Sequence, residues 1–193
     1  MKNILTIIAL IALMVVGDLT TASAQKMTAL DKSPLDMAYF PARAPFRAFE
    51  KDEEKKAGLA PVARIIYSRP QLNGRPLSEL IKTGEVYRLG ANESTELDVM
   101  SAIKIGGETI EPGRYTLYSY SANEGEATLI VNSDLDGWGA YSYNKDNDVV
   151  RIEGKVTKGE ESVEALTIMF TENSLVMAWG KSRVEYSVEA AGE

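Results

Sequence analysis

The residues best suited to chemistry are two arginines, an asparagine and a glutamate in two separate segments. Arg69 and Arg88 each end a predicted strand, and a loop follows Arg88 directly. Two guanidinium groups can hold an anion or the hydroxyls of a sugar, and a nearby carboxylate can act as an acceptor or a base. We therefore expect these groups to converge at one end of the fold. The predicted ligand-binding residues are Arg69, Arg88, Asn92 and Glu93.

The same residue types also have a purely structural interpretation. An arginine at a strand end often pairs with a loop carboxylate and donates its other N–H groups to backbone carbonyls. An asparagine in a turn such as Gly90–Glu93 often adopts left-handed backbone angles or caps a backbone group. Both interpretations stay open from the sequence. Side chains that converge in a solvent-accessible cleft would favour binding.

A second polar segment matches part of a calcium-binding loop. Its Asn132, Asp134, Asp136 and Gly137 fill positions 1, 3, 5 and 6 of the calcium loop of helix–loop–helix proteins. The position for the bidentate glutamate holds Tyr143, and the flanking segments have strand patterns. Because Asn, Asp and Gly are the usual turn formers, we predict a polar hairpin loop and no metal site.

The composition excludes several classes of chemistry. The 193 residues include no histidine and no cysteine, which excludes Ser-His-Asp triads, thiol nucleophiles, disulfides and metals bound by imidazole or thiolate. A formal net charge of −7 argues against binding of nucleic acid, which needs a basic surface. Catalysis would have to rely on carboxylate pairs, lysine, tyrosine, Ser-Lys dyads or metals bound by oxygen ligands, and we predict no cofactor.

Residues 1–24 have the pattern of a secretory signal peptide. Lys2 is followed by an apolar run, Ile4–Val16, and by the small-residue cleavage site Ala22–Ala24. The run is shorter than the about 20 residues that span a bilayer. We expect a mature chain that begins at Gln25 and a periplasmic or extracellular location, without a membrane span.

The mature chain divides into an N-terminal arm, residues 25–61, and a β-domain, residues 62–193. The arm is rich in proline and aromatic residues, and its charged run Glu50–Lys56 predicts a solvated loop or helical turn. In the β-domain, about ten short alternating segments predict strands. Pro76–Lys82 predicts the one short helix. This pattern predicts an all-β, antiparallel β-sandwich of jelly-roll type with an irregular arm.

Turn residues and aromatic residues predict three local features. Gly106 and Gly107 between apolar segments predict a two-residue hairpin. Glu172 and Asn173 predict a turn between two strands. Trp138–Tyr143 predicts a strand whose aromatic side chains fill the core or, if exposed, form a stacking platform for sugars.

Five sequence runs occur in an order typical of one bacterial family. The runs are I-Y-S-R-P at 66–70 with G-R at 74–75, V-Y-R-L-G-A-N-E-S-T at 86–95, G-R-Y-T-L-Y at 113–118, L-I-V-N at 129–132 and W-G-A-Y at 138–141. From Lys32 to Val188 the chain resembles the family known as domain of unknown function 2911. The resemblance implies a secreted or envelope protein of Bacteroidetes-type bacteria with no established activity. The chain departs from the family pattern at Leu77-Ser78 and Glu126-Ala127, where members often have aromatic residues.

Three classes of function fit these observations. We predict a binding or accessory module of the cell envelope for a glycan, peptide or small polar molecule, rather than an enzyme. The first alternative is a structural or interaction protein without a small ligand. The second is a glycoside hydrolase that pairs Glu93 with another carboxylate, at a separation of about 5–5.5 Å or about 6.5–9.5 Å. The candidate partners of Glu93 are Glu96, Asp98, Asp134 and Asp136.

Overall fold

The computed structural model of the protein describes residues 27–191. The signal peptide expected at residues 1–24 and the mature N-terminus expected at Gln25 lie outside the described residues. In the part of the chain that is described, no helix is long and apolar enough to cross a membrane.

Ten strands form one continuous antiparallel sheet. They are β1 (Leu35–Phe40), β2 (Ala63–Ser68), β3 (Val86–Tyr87), β4 (Thr95–Val99), β5 (Ile103–Ile105), β6 (Glu108–Ile110), β7 (Gly113–Tyr120), β8 (Glu126–Asn132), β9 (Asp148–Phe170) and β10 (Ser174–Ala190). One short helix, α1 (Glu53–Gly58), and 3-10 turns at Ala44–Phe49, Leu77–Glu79 and Lys145–Asn147 complete the described secondary structure. The all-β, sandwich-like fold class is confirmed.

The sheet folds into two layers through its longest strand. The strand order is β1-β2-β4-β7-β8-β9-β10-β5-β6, and the short β3 also pairs with β7. β9 pairs with β8 through residues 148–155 and with β10 through residues 156–170, so it belongs to both layers. Tyr67 of β2 joins the layers, because its hydroxyl donates to the carbonyl of Ile168 and accepts from its N–H, both at 3.0 Å.

The core lies between the two layers and follows from the period-two alternation of the strands. In β4, for example, Leu97 and Val99 are buried while Glu96 and Asp98 are partly exposed. The buried residues of both layers form one connected apolar cluster. Each large apolar side chain buried in this way stabilises the fold by about 1.5–3 kcal/mol.

Two predicted turns are confirmed. Ile105 pairs with Glu108 across Gly106 and Gly107, whose φ angles of 60° and 89° are those of a type I′ hairpin. The pairing of Phe170 with Leu175 brackets the turn predicted at Glu172 and Asn173.

Two predicted elements differ in the structure. Trp138–Tyr143 forms turns instead of a strand, because Gly139 adopts a φ of 63° and its N–H bonds to the carbonyl of Asn92. Pro76–Lys82 forms only a 3-10 turn at Leu77–Glu79, where no side chain caps the first turn in the way that Asp52 caps α1.

The segment expected to be an irregular arm contributes to the sheet. β1 pairs with β2 along its whole length and buries Ala38 and Phe40. The charged run that was expected to form a loop or helical turn includes most of α1, with Asp52 accepting hydrogen bonds from two N–H groups at its start. The sheet therefore begins earlier in the chain than the composition suggested.

Candidate functional site

A cavity of about 650 Å³ opens between β3, β7 and β8 on one side and the β9–β10 hairpin on the other. It is open to solvent at one end and borders the connected core. Most of its wall is formed by apolar and aromatic side chains, namely Leu77, Ile81, Tyr87, Leu89, Leu166, Met177, Trp179, Val184 and Tyr186.

Three of the four aromatic residues that line the cavity have their polar atoms bonded within the protein. The hydroxyl of Tyr87 donates to the carbonyl of Gly90 at 3.1 Å. The indole N–H of Trp179 donates to the carbonyl of Glu164 at 3.1 Å. The hydroxyl of Tyr186 donates to the carbonyl of Ala127 at 3.3 Å. Burial raises the pKa of both phenols, which keeps them neutral. The wall therefore offers ring surface to a ligand.

A close backbone approach shapes one side of the cavity. A Cβ atom at Gly154 of β9 would lie 2.7 Å from Cε1 of Tyr186, so the glycine allows the ring to lie flat on the strand. The Tyr87 and Trp179 rings pack at 6.1 Å between centroids. These contacts fix the ring positions and leave the space between the layers open.

The mouth of the cavity carries charge. The exposed residues that line it include Glu124 and Glu126 beside β8, and Lys158 and Lys181 on the β9–β10 hairpin. The acidic and basic groups thus lie on different strands of the rim.

Arg69, the first predicted binding residue, is engaged by its neighbours. Its guanidinium donates to the carbonyl of Leu166 at 3.1 Å, to Asp36 Oδ2 at 3.0 Å and to Thr167 Oγ1 at 2.8 Å. This is the structural arrangement of an arginine at a strand end, with one carboxylate and one carbonyl as partners. Arg69 joins β1, β2 and β9.

The other three predicted residues lie beside the turns at 137–141. The carbonyl of Asn92 accepts from the N–H of Gly139 at 2.8 Å, and Glu93 forms an isolated β-bridge with Trp138. A Cβ at Gly139 would lie 3.1 Å from Nη1 of Arg88, which places this guanidinium against the turn. Asn92 has the left-handed conformation that the turn composition predicted, with φ 62°.

A hydrogen bond links the two predicted segments: the hydroxyl of Ser68 donates to the carbonyl of Ala91 at 2.5 Å. In residues 27–191, no hydrogen bond or ion pair links Arg69 to the groups at 88–93, and none links Arg88 to Glu93. Arg88, Asn92 and Glu93 therefore lie beside the same turns, and the guanidinium of Arg69 has its own partners in β1 and β9.

Four carboxylates were candidate catalytic partners of Glu93, and each is engaged by another side chain. Arg114 Nη2 lies 3.0 Å from Glu96 Oε2 and 3.1 Å from Asp136 Oδ1. Asp98 pairs with Arg64 and Arg114, and Asp134 Oδ1 accepts from Asn147 at 2.7 Å. These pairs are typical of a charge network on the outer face of the sheet.

The segment that matched part of a calcium loop is held by internal hydrogen bonds. Asn132 Oδ1 accepts from the N–H of Asp134 at 2.9 Å, and its Nδ2 donates to Asp148 Oδ1 at 2.9 Å. Asp136 is paired with Arg114. Over residues 27–191, no three His, Cys, Asp or Glu side chains are grouped so that they could hold a metal ion.

Sequence reasoning did not predict the cavity. Alternation identifies Val184 and Tyr186 as inward-facing, but residues of a filled core have the same pattern. The one available signal was Gly154 in a strand interior, which indicates a close approach of another group.

Comparison with known proteins supports the motif-based resemblance. The family model described as Protein of unknown function (DUF2911) matches residues 51–188, a range that includes the cavity and the turns around Arg88. No curated protein and no solved structure matches the chain. Because the match spans most of the sequence and includes all five quoted runs, the chain belongs to the family of proteins of unknown function DUF2911.

Proposed function

We propose that the protein is a ligand-binding module that takes an apolar molecule, or the apolar part of one, into the cavity between its layers. The observation that carries this proposal is the cavity of about 650 Å³ with its aromatic and aliphatic wall. Small-molecule sites have volumes of roughly 300–1,000 Å³ and similar linings. The expected leader would place this cavity outside the cytoplasm.

The wall also supports binding over catalysis. The polar atoms of Tyr87, Trp179 and Tyr186 are hydrogen-bonded to backbone carbonyls. An apolar ligand would leave these three hydrogen bonds intact. Burial of its apolar surface would therefore contribute a binding free energy of roughly 25 cal/mol per Å².

A cavity-filling substitution tests the proposal. Ala127 lies on β8 and lines the cavity, so we expect Ala127→Phe to occupy space that the ligand needs. Binding of the neutral dye N-phenyl-1-naphthylamine, measured by its fluorescence, should weaken by about tenfold, which equals about 1.4 kcal/mol. Thr128→Phe is the matched control, because Thr128 is the next residue of β8 and does not line the cavity. Absence of saturable dye binding by the unmodified protein, or equal binding by both variants, would refute the proposal.

The neighbourhood of Arg88 supports a second candidate function, the binding of a sugar or another small polar ligand. Trp138 and Tyr141 are 56% and 86% exposed, yet the backbone that carries them is bonded to residues 92–94. Leu89 has a φ of 50°, a strained conformation for a bulky residue of the kind that concentrates at binding sites. We infer that a sugar ring stacks on Trp138 while Arg88, Asn92 and Glu93 hydrogen-bond its hydroxyls.

This second candidate predicts loss of binding without loss of stability. Over residues 27–191 the guanidinium of Arg88 has no ion pair, so Arg88→Ala and Glu93→Ala should each change the free energy of unfolding by less than about 0.5 kcal/mol. Both variants should lose binding to oligosaccharides that the unmodified protein retains on a glycan array. Losses of about 3 kcal/mol in both variants, measured by urea unfolding, would instead assign the residues a structural role.

A further inference from the structure

Two lysines lie on neighbouring strands where the β9–β10 hairpin borders the cavity. Lys158 and Lys181 line the cavity mouth. In the ladder, Lys158 is paired with Ser182, and Thr157 with Arg183. Lys181 directly precedes Ser182, so its backbone lies next to that of Lys158, and both lysines line the cavity, whereas Arg183 does not line it.

In the described part of the chain, Arg183 is bonded to backbone carbonyls and the two lysines have no ion pair. Arg183 donates to the carbonyls of Gly180, Ser182 and Glu161, at 2.8–2.9 Å. Neither Lys158 nor Lys181 takes part in any of the ion pairs of residues 27–191. Like charges on neighbouring strands oppose each other, so two neighbouring lysines without ion pairs are available to an anionic group.

The acidic side of the mouth is chemically different. Glu126 accepts a hydrogen bond from Nδ2 of Asn123 at 3.1 Å, and in the ladder it lies opposite Lys155. Glu124 is the remaining acidic residue of the rim. An anionic group that enters with an apolar body would therefore lie against the lysines, and the same cavity wall would receive its chain.

We propose that the cavity binds a single-chain amphiphile whose anionic head group lies between Lys158 and Lys181 while its hydrocarbon tail packs against Trp179 and Tyr186. This inference rests on the proposed function. The head group is a carboxylate or a phosphate monoester, since both present oxygen anions that lysine ammonium groups bind as point charges. A fatty acid and an alkyl phosphate are the two chemical sources.

Ligands that share one hydrocarbon tail but carry different head groups test the preference for an anionic head group separately from the binding of the tail. Laurate, dodecyl phosphate, 1-dodecanol and dodecyltrimethylammonium would each compete with N-phenyl-1-naphthylamine for the purified protein, below their micelle concentrations. We expect laurate or dodecyl phosphate to compete about tenfold better than dodecanol, and dodecyltrimethylammonium to compete least. The anion that competes more strongly with the dye identifies the head group that the cavity prefers. The advantage of the anions should shrink as salt is raised, because the Debye length falls to about 8 Å at physiological ionic strength.

Charge variants at exposed positions test the role of the lysines. The double variant Lys158→Met, Lys181→Met should bind laurate about tenfold more weakly, while its affinity for dodecanol stays the same. A loss of this size is consistent with two partly exposed ion pairs. The matched control is Lys155→Met, which removes an exposed lysine of β9 that does not line the cavity. Lys158→Glu with Lys181→Glu should reverse the order, so that dodecyltrimethylammonium competes better than laurate.

Two outcomes would overturn the inference in different ways. If dodecanol competes as well as both anions, and the methionine variants change nothing, the cavity binds apolar chains but the lysines do not select the head group. If none of the four amphiphiles competes and the dye does not bind, the proposed function itself fails.

Discussion

Replacing Asp148 by alanine is expected to lower the free energy of unfolding by about 3 kcal/mol. The carboxylate is only 8% exposed and accepts three hydrogen bonds, from Asn132 Nδ2 at 2.9 Å, Tyr143 Oη at 2.8 Å and Arg151 Nη1 at 2.7 Å. Removing one side of a buried ion pair costs about 3–5 kcal/mol. The lower end of that range applies because Arg151 is 33% exposed and can be rehydrated.

The matched control is Asp146→Ala, which removes an exposed carboxylate from the neighbouring turn. This variant should stay within about 0.5 kcal/mol of the unmodified protein. Urea unfolding measures both effects. Since Asn132 and Tyr143 anchor the two ends of segment 133–143 to Asp148, proteolysis within this segment should also accelerate in Asp148→Ala. Equal stability of the two aspartate variants would show that the three hydrogen bonds add nothing to the fold.

Local patterns predicted most of the elements, because the physical signal for each is contained in a few neighbouring residues. The alternation of β4 and the glycine pair at 106–107 each depend on short-range geometry, and both were predicted correctly. Asn92 adopts its left-handed conformation for a reason contained in its own side chain. Trp138–Tyr143 was predicted wrongly as a strand because its backbone bonds to residues 92–94, which only the folded chain brings near.

The candidate site was less predictable because it depends on contacts between distant segments. Arg69 has a partner that the sequence did not predict, Asp36 of β1, because the proline-rich composition of the arm did not reveal that strand. The cavity depends on the separation of two layers, and no periodicity in either layer encodes that separation. Lys158 and Lys181 become neighbours only through the register of β9 and β10, which is shifted by irregularities at Gly180.

The hairpin between β5 and β6 allows backbone strain to be separated from packing. Gly106 and Gly107 are adjacent and both have positive φ, so alanine at either position costs about 1–2 kcal/mol for the left-handed conformation. A Cβ at Gly107 meets nothing within 4 Å, whereas a Cβ at Gly106 would collide with Cγ2 of the buried Ile152. Overpacking of this kind adds about 1–3 kcal/mol.

We therefore expect Gly106→Ala to lower the free energy of unfolding by about 3–4 kcal/mol and Gly107→Ala by about 1–2 kcal/mol. Urea unfolding of both variants measures the difference, and Gly107→Ala serves as the control for backbone strain. Ile152→Ala removes the atom that a Cβ at Gly106 would meet, so in that background the two glycine variants should cost the same. Equal costs in the unmodified background would contradict the close packing of Gly106 on Ile152. A difference that persists with Ile152→Ala would place its cause in the backbone of the turn, because no side-chain collision would remain there.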